Sequence, residues 1–148
     1  MNNISIIPIN NLPEFEPKHD LADEIVKSFS NNNFVLEDKD VIVITQKIVS
    51  KVEDRLIKND NESIEKLIQQ ESLEILRKRG DTVIARTKHG FICANAGIDK
   101  SNIEKGSVLL LPEDPDKTSR DIRKKIQHVT NKKISIIISD TFGRAWRK

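Results

Sequence analysis

The sequence predicts a mixed α/β fold, a sheet with covering helices, on three observations. Apolar segments of strand length alternate with amphipathic segments of helical period along the 148 residues. Hydrophobic residues make up 36% of the chain and charged residues 32%, which suits one soluble domain with a core of its own. Turn-forming residues separate the segments, and neither an internal repeat nor a low-complexity linker interrupts them.

The first half of the chain predicts two strands and two helices. A short strand is expected at residues 4–9, and the apolar run at Val41–Thr45 is typical of a strand covered on both faces. Asp20 can cap a helix over residues 21–30, in which apolar side chains recur at helical spacing. A longer amphipathic helix is expected at residues 63–78.

The second half predicts a hairpin, two strands and a basic helix. The hairpin strands are residues 82–87 and 91–95, turning near Gly90. A buried strand is expected at residues 107–112, and a Pro-Asp turn precedes an amphipathic helix. The last strand, residues 134–139, has the composition of a central strand, but no further element follows to cover it. We therefore expect residues 1–148 to be the N-terminal portion of a domain whose C-terminal part is missing.

Charge and cysteine content narrow the possible functions. The net charge is only +2, and the basic run before His128 lacks interleaved aromatic residues, so a nucleic-acid partner is not expected. One cysteine, Cys93, excludes a disulfide framework and is interpreted as a core residue. His19, His89 and His128 show no ligand spacing and are interpreted as surface residues.

Targeting patterns are also missing from the sequence. The apolar runs are all shorter than the roughly 18 residues that a membrane helix needs. The first residues lack the charged and apolar regions of a signal peptide. Together with the single cysteine, these patterns favour a cytoplasmic protein that does not enter a membrane.

Two aspartates follow predicted strands, with other oxygen-bearing side chains near them in sequence. Asp99 and Asp140 are flanked by Asn95, Asn102 and Thr141. Ligands gather at the carboxyl ends of strands in open α/β sheets, and carboxylate oxygens there suit Mg²⁺ or Mn²⁺. Each aspartate alone is better explained as a turn or cap residue, but the two together with their flanking oxygen-bearing side chains leave both interpretations open.

Two further segments carry groups suited to anions. Gln46, Lys47 and Lys51 follow a buried strand and can donate to phosphate or carboxylate, although the segment has no glycine and is not a P-loop. The plainer interpretation is the polar start of a helix. Arg144 and Arg147, on either side of Trp146, could hold an anionic substrate, and a basic surface loop is the alternative.

Five segments resemble one family in both content and order: NNLPEF, TQKIVSK, ANAGIDKSN, LLLPEDPDKTS and SDTFGRAWR. The chain is similar over essentially its whole length to the coenzyme F-420-0:γ-L-glutamyl ligases. The resemblance implies a GTP-dependent ligase that adds L-glutamate through a γ-linkage to the deazaflavin coenzyme F-420-0. It implies an acyl-phosphate intermediate, Mg²⁺ or Mn²⁺, stimulation by K⁺, and a homodimer.

The resemblance also implies roles for individual residues. The expected metal-binding residues are Asp99, Asp140 and Thr141. The expected GTP-binding residues are Leu12, Pro13, Glu14, Phe15, Gln46, Lys47, Lys51 and Asn102. Asp54 stands where the family often has glycine. Two alternatives are kept, a truncated inactive remnant that binds metal and nucleotide and a ligase for another carboxylate acceptor.

Overall fold

Helices and strands alternate along the chain in the computed structural model, which describes residues 4–58, 63–99 and 106–141. The helices are α1 (Leu21–Asn31), α2 (Gln46–Val52), α3 (Ile64–Glu71) and α4 (Pro115–Thr130). The strands are β1 (Val41–Thr45), β2 (Leu56–Lys58), β3 (Ser72–Arg79), β4 (Thr82–Thr87), β5 (Ile92–Ala94), β6 (Ser107–Leu109) and β7 (Ser135–Ser139). The mixed α/β class is confirmed. Asn102, Arg144, Trp146 and Arg147 lie outside the described residues, and so do the predictions for them.

The described strands pair in three small sheets. Strands β1 and β7 are parallel, and the register sets Val41 opposite Ser135 and Thr45 opposite Ser139. Strands β2 and β6 are antiparallel. Strands β3, β4 and β5 form an antiparallel meander in that order. The predicted hairpin is confirmed within this meander, although β5 is shorter than expected.

Local signals set the ends of the two longest helices. The Asp20 carboxylate accepts a hydrogen bond from Asp23 N (3.2 Å) and caps α1, as predicted. The Asp114 carboxylate accepts from Lys117 N (2.8 Å), and a proline occupies the first turn of α4. Asn131 ends α4 in the left-handed conformation. The basic amphipathic helix is thus confirmed.

Helices α2 and α4 pack against one face of β1 and β7, and α1 packs on α4. Together they form the first of two cores, here called the helical cluster. Its buried members are Phe15, Leu21, Ala22, Ile25, Phe29, Leu36, Ile44, Val49, Ile122, Ile126 and Ile134. The opposite face of the two strands is exposed, and Val43 keeps 63% of its surface. The prediction that β1 is covered on both faces is therefore wrong for the described residues, because these helices occupy one face only.

The second core, the meander cluster, joins α3 to the meander and to β6. Its buried members are Leu67, Ile68, Val83, Ala85, Ala96, Ile98, Val108 and Leu110. Cys93 is fully buried, which confirms it as an interior residue. None of the described helices is long and apolar enough to cross a bilayer.

Two predicted elements are wrong. Residues 4–9 do not form a strand, and Ile4 and Ile6 are 92% and 93% exposed, because none of the described strands pairs with this segment. The helix expected over residues 63–78 ends at Glu71, and Ser72–Arg79 pairs with β4 instead. This pairing overrides the local helical pattern and leaves Leu73 exposed.

Candidate active site at the carboxyl ends of β1 and β7

The parallel register of β1 and β7 brings two predicted site residues to the same edge. Thr45 lies opposite Ser139, so that Gln46 and Asp140, the next residue of each segment, leave the sheet side by side. Both residues line a cleft of about 100 Å³. Ligands bind at this end of strands in open α/β sheets, so the cleft is the candidate active site.

The remaining walls of the cleft are mainly apolar and come from several parts of the chain. They comprise His89, Phe91, Leu111, Pro112 and Pro115, with Ile138 and Ser139 from β7. The rings of His89 and Phe91 are stacked, with centroids 6.2 Å apart and planes inclined by 26°. The cleft thus combines a flat ring surface with polar groups at one end.

Asp99 is tied to the start of α2 by an ion pair. Its carboxylate Oδ2 lies 2.6 Å from the ammonium Nζ of Lys47. Its backbone N–H and C=O both pair with Leu109 at 2.9 Å, which fixes the position of the residue. Gln46 and Lys47 are the first two residues of α2. Asp140 lies beside Gln46 and Asp99 pairs with Lys47, so both aspartates lie next to the first turn of this helix.

Residues Asn95–Gly97 form a left-handed turn just before Asp99. Asn95, Ala96 and Gly97 have φ of 50°, 54° and 75°, and the amide of Asn95 accepts a hydrogen bond from Val83 N (2.9 Å). A Cβ on Gly97 would lie 2.8 Å from Cδ1 of Leu111. Glycine is therefore favoured both by the backbone conformation and by the nearby side chain of Leu111, which lines the cleft.

The three predicted metal-binding residues offer oxygen donors of the kind that hard cations prefer. Asp99, Asp140 and Thr141 supply two carboxylates and a hydroxyl, and Lys47 places its positive charge against Asp99. Burial, followed by the negative charge of Asp140, raises the pKa of the Cys93 thiol to about 11. Within the described ranges, however, no three His, Cys, Asp or Glu side chains are grouped so as to hold a metal ion. The donor types fit a divalent cation as a partial set, and metal binding stays a prediction.

The predicted GTP-binding residues fall in two places. Gln46 is buried, and its amide oxygen accepts from the hydroxyl of Ser50 at 2.8 Å. Lys51, one turn after Lys47, forms an ion pair with Glu14.

The neighbours of Glu14 differ in how deeply they are buried. Phe15 is buried in the helical cluster, whereas Leu12 is half-buried and Pro13 is exposed. The fold thus joins the segment Leu12–Phe15 to α2 through Glu14 and Lys51, which the sequence separates by 37 positions.

The backbone of Asp54 adopts a conformation that suits glycine. Asp54 follows α2 with φ of 58°, in the left-handed region that glycine adopts freely and aspartate tolerates. The residues on either side of Asp54, Glu53 and Arg55, form hydrogen bonds with different parts of the chain. The Glu53 carboxylate accepts from Glu113 N (2.9 Å) and from the Thr118 hydroxyl (2.6 Å), and it fixes the segment that enters α4.

Two residues of the site were not predicted from the sequence. Arg55 donates from Nε to the carbonyl of Leu111 (2.9 Å) and from Nη2 to Glu71 (2.6 Å), which holds the cleft wall in place. His89 was interpreted as a surface residue, but it is half-buried, and the ring nitrogen Nδ1 is fully enclosed. Its partner Glu113 is 24 positions away, so sequence spacing gave no signal for it.

Comparison with known proteins gives a consistent match. The model of the F420-0:gamma-glutamyl ligase family matches residues 10–148. The chain is 42% identical over 134 residues to the coenzyme F420:L-glutamate ligase of Methanococcus maripaludis, covering 79% of this chain and 54% of the relative. Against the enzyme of the same name from Methanothermobacter thermautotrophicus it is 35% identical over 162 aligned positions, covering 98% and 64%.

A third relative agrees with these two. The coenzyme F420:L-glutamate ligase of Methanocaldococcus jannaschii is 39% identical over 132 residues, covering 78% of this chain and 53% of the relative. The chain therefore spans between about half and two thirds of the length of these curated relatives.

Proposed function

The chain belongs to the F420-0:gamma-glutamyl ligase family, and on that premise we propose that the complete protein joins L-glutamate to coenzyme F420-0 in coenzyme F420 biosynthesis. The observation that supports this proposal is the cleft at the carboxyl ends of β1 and β7. There Gln46 and Asp140 leave the sheet together beside an apolar wall, and Lys47 pairs with Asp99. Such a site offers an apolar surface for a substrate ring and a charged end for the reacting groups.

The proposed reaction uses GTP to activate the acceptor. A carboxylate oxygen of coenzyme F420-0 attacks the γ-phosphorus of GTP, the bond to the β-phosphate oxygen breaks, and GDP leaves. The amine of glutamate then attacks the acyl-phosphate carbonyl and loses a proton, an amide forms, and phosphate departs. GTP supplies the free energy, since direct condensation of a carboxylate with an amine is unfavourable in water.

In this reaction the chain's own residues bind and orient charge. Lys47 and Lys51 lie one turn apart on α2, where their ammonium groups can neutralise phosphate oxygens. Asp99, Asp140 and Thr141 would hold Mg²⁺ or Mn²⁺, which neutralises phosphate charge when bound. The homodimer and the stimulation by K⁺ remain predictions that follow from the resemblance alone.

The test is turnover by the complete protein. GDP and phosphate formation should require both coenzyme F420-0 and L-glutamate, and Asp140→Asn should lower kcat/KM about 100-fold or more. Asp81→Asn, in the exposed turn between β3 and β4, is the matched control and should keep wild-type turnover. A complete protein that forms no GDP from these substrates contradicts the proposal. GDP formed only with another carboxylate acceptor indicates a ligase with a different substrate.

A further inference from the structure

The segment that leads into α4, residues 110–115, is held by groups at the end of α2. Three residues of this segment line the cleft, so it is here called the wall segment. Resting on the proposed function, we propose that Glu53 is a positioning residue. Its carboxylate keeps the wall segment aligned with Gln46 and Lys47 at the other end of α2, and this alignment sets the relative position of the two reactants.

The first argument is the way in which the Glu53 carboxylate is bound. Its Oε2 accepts a hydrogen bond from Glu113 N (2.9 Å), and its Oε1 accepts one from the hydroxyl of Thr118 (2.6 Å). Glu53 is the C-cap of α2, and the two partners lie 60 and 65 positions later, at the start of α4. Hydrogen bonds to an ionised group are stronger than neutral ones, and two of them fix the orientation of the carboxylate.

The second argument is that the wall segment depends on such bonds. Strand β6 ends before it, and α4 begins at its last residue. Arg55 holds its first two residues, because the Arg55 carbonyl accepts from Leu110 N (3.1 Å) and Nε donates to the Leu111 carbonyl (2.9 Å). Glu53 holds the amide of Glu113, closer to α4. Removing the Glu53 carboxylate should therefore loosen the half of the wall segment that adjoins α4.

The third argument is that α2 connects the wall segment to the polar end of the cleft. The first residue of α2, Gln46, lines the cleft, and the second, Lys47, pairs with an aspartate beside it. Val49 and Ser50, in the middle of the helix, are fully buried. A helix of this length is about 10 Å long, and with its middle enclosed it moves as one body. Glu53 thus ties the wall segment to a fixed frame.

This tie matters for the proposed reaction because two reactants must meet in one geometry. The acceptor carboxylate has to reach the γ-phosphorus of GTP, and the lysines of α2 are suited to hold the phosphate side. A displacement of about 1 Å, caused by a change outside the reacting groups, can lower the rate about 100-fold. Loss of the tie should therefore lower kcat more than it weakens the binding of either reactant.

The experiment measures turnover of the complete protein with GTP, coenzyme F420-0 and L-glutamate. Glu53→Ala should lower kcat about tenfold or more, with each KM within about threefold of wild type. Glu53→Gln should recover most of this loss, because its amide oxygen still accepts from Glu113 N and its amide can still pair with Thr118. Thr118→Val removes one of the two bonds and should lower kcat about threefold.

A loss of position is separated from a loss of stability in two ways. Calorimetric titration with GDP counts the sites that bind, and kcat is expressed per binding site. Asp38→Ala is the matched control, because the Asp38 carboxylate also accepts a long-range hydrogen bond from a backbone amide, Lys133 N (2.7 Å). That bond lies just before β1 and β7, at the ends of the strands opposite the cleft. The control should keep the wild-type kcat per binding site.

Each outcome decides for or against the inference. Wild-type kcat per binding site in Glu53→Ala overturns it, and so does a loss that Glu53→Gln does not recover. A raised KM with unchanged kcat assigns Glu53 to binding and also overturns it. A wild-type protein without turnover contradicts the proposed function and this inference with it, whereas active variants of an active enzyme overturn the inference alone. If Glu53→Ala does not fold, the milder Thr118→Val decides by the same comparison.

Discussion

The two sides of the cleft are held in place by different means. On the side of the helical cluster, β1 and β7 pair in simple parallel register, and helix caps such as Asp20 and Asp114 act over three residues. On the side of the meander cluster, Asp99 follows three left-handed residues, and the wall at Leu111 depends on Arg55. The first side combines local helix caps with one regular strand pairing, whereas the second depends on strained backbone and on long-range side-chain contacts.

This difference indicates where single substitutions will matter most. A helix cap on the surface contributes about 1 kcal/mol, and water can replace part of it. A positive φ packed against a side chain, or a buried ion pair, has no such replacement. Changes on the meander side should therefore lower the free energy of unfolding more, and they should also disturb the cleft.

The largest effect is expected for Gly97→Ala. The new Cβ would meet Leu111 at 2.8 Å in a backbone with φ of 75°, so the free energy of unfolding should fall by about 3 kcal/mol. Urea unfolding of the protein measures it. Gly80→Ala is the matched control, because Gly80 has φ of 56° but no atom within 4 Å of its Cβ position. The control should lose only about 1 kcal/mol. Equal losses at the two positions would show that contact with Leu111 does not restrict Gly97.

An intermediate effect is expected for Arg55→Met. The side chains of Arg55 and Glu71 are only 17% and 10% exposed, and the substitution leaves the carboxylate buried with Lys88 at 3.5 Å as a more distant partner. The free energy of unfolding should fall by about 2 kcal/mol, less than for a buried charge left with no partner. Adding Glu71→Gln should recover part of the loss, because no charge is then left unpaired.

The control for the Arg55 variant is an exposed ion pair between α3 and β3. Lys78 and Glu65 lie 2.6 Å apart with most of both side chains in water. Lys78→Met should leave the urea midpoint unchanged within error. A loss in Arg55→Met as small as in this control would contradict the view that buried long-range contacts hold the cleft wall.

The same division explains what could be predicted from the sequence. Helices α1 and α4 were predicted because caps and apolar spacing lie within a few residues of each other. Strand β3 was mistaken for helix because Leu73, Ile75 and Leu76 fit a helical face, and only the pairing with β4 decides between the two structures. Local signals were sufficient where local contacts decide the structure.

The site follows the same rule. Asp140 and Gln46 could each be placed at the end of an apolar strand from the sequence. Their position side by side follows from the pairing of β1 with β7, which the sequence does not give. His89 and Arg55 could not be found, because their partners Glu113 and Leu111 come from distant parts of the chain. The two pairs are 24 and 56 positions apart, and no spacing rule connects residues over such distances.

The smallest effect is expected on the helical side, at Asp20. Its hydrogen bond to Lys125 holds the pKa of the Asp20 carboxyl below its ordinary value of 3.8. The carboxylate therefore stabilises the fold above that pH, and the contribution is lost as the pH falls through the lowered folded-state pKa. Because the side chain is 44% exposed, the contribution should stay below about 1 kcal/mol. Asp20→Asn keeps a capping side chain, so it should be less stable than wild type near neutral pH and equally stable well below the folded-state pKa. Urea unfolding at the two pH values measures this, with Asp116→Asn in the first turn of α4 as the control. A deficit that persists in acid would assign the effect to the cap geometry instead of the charge on Asp20.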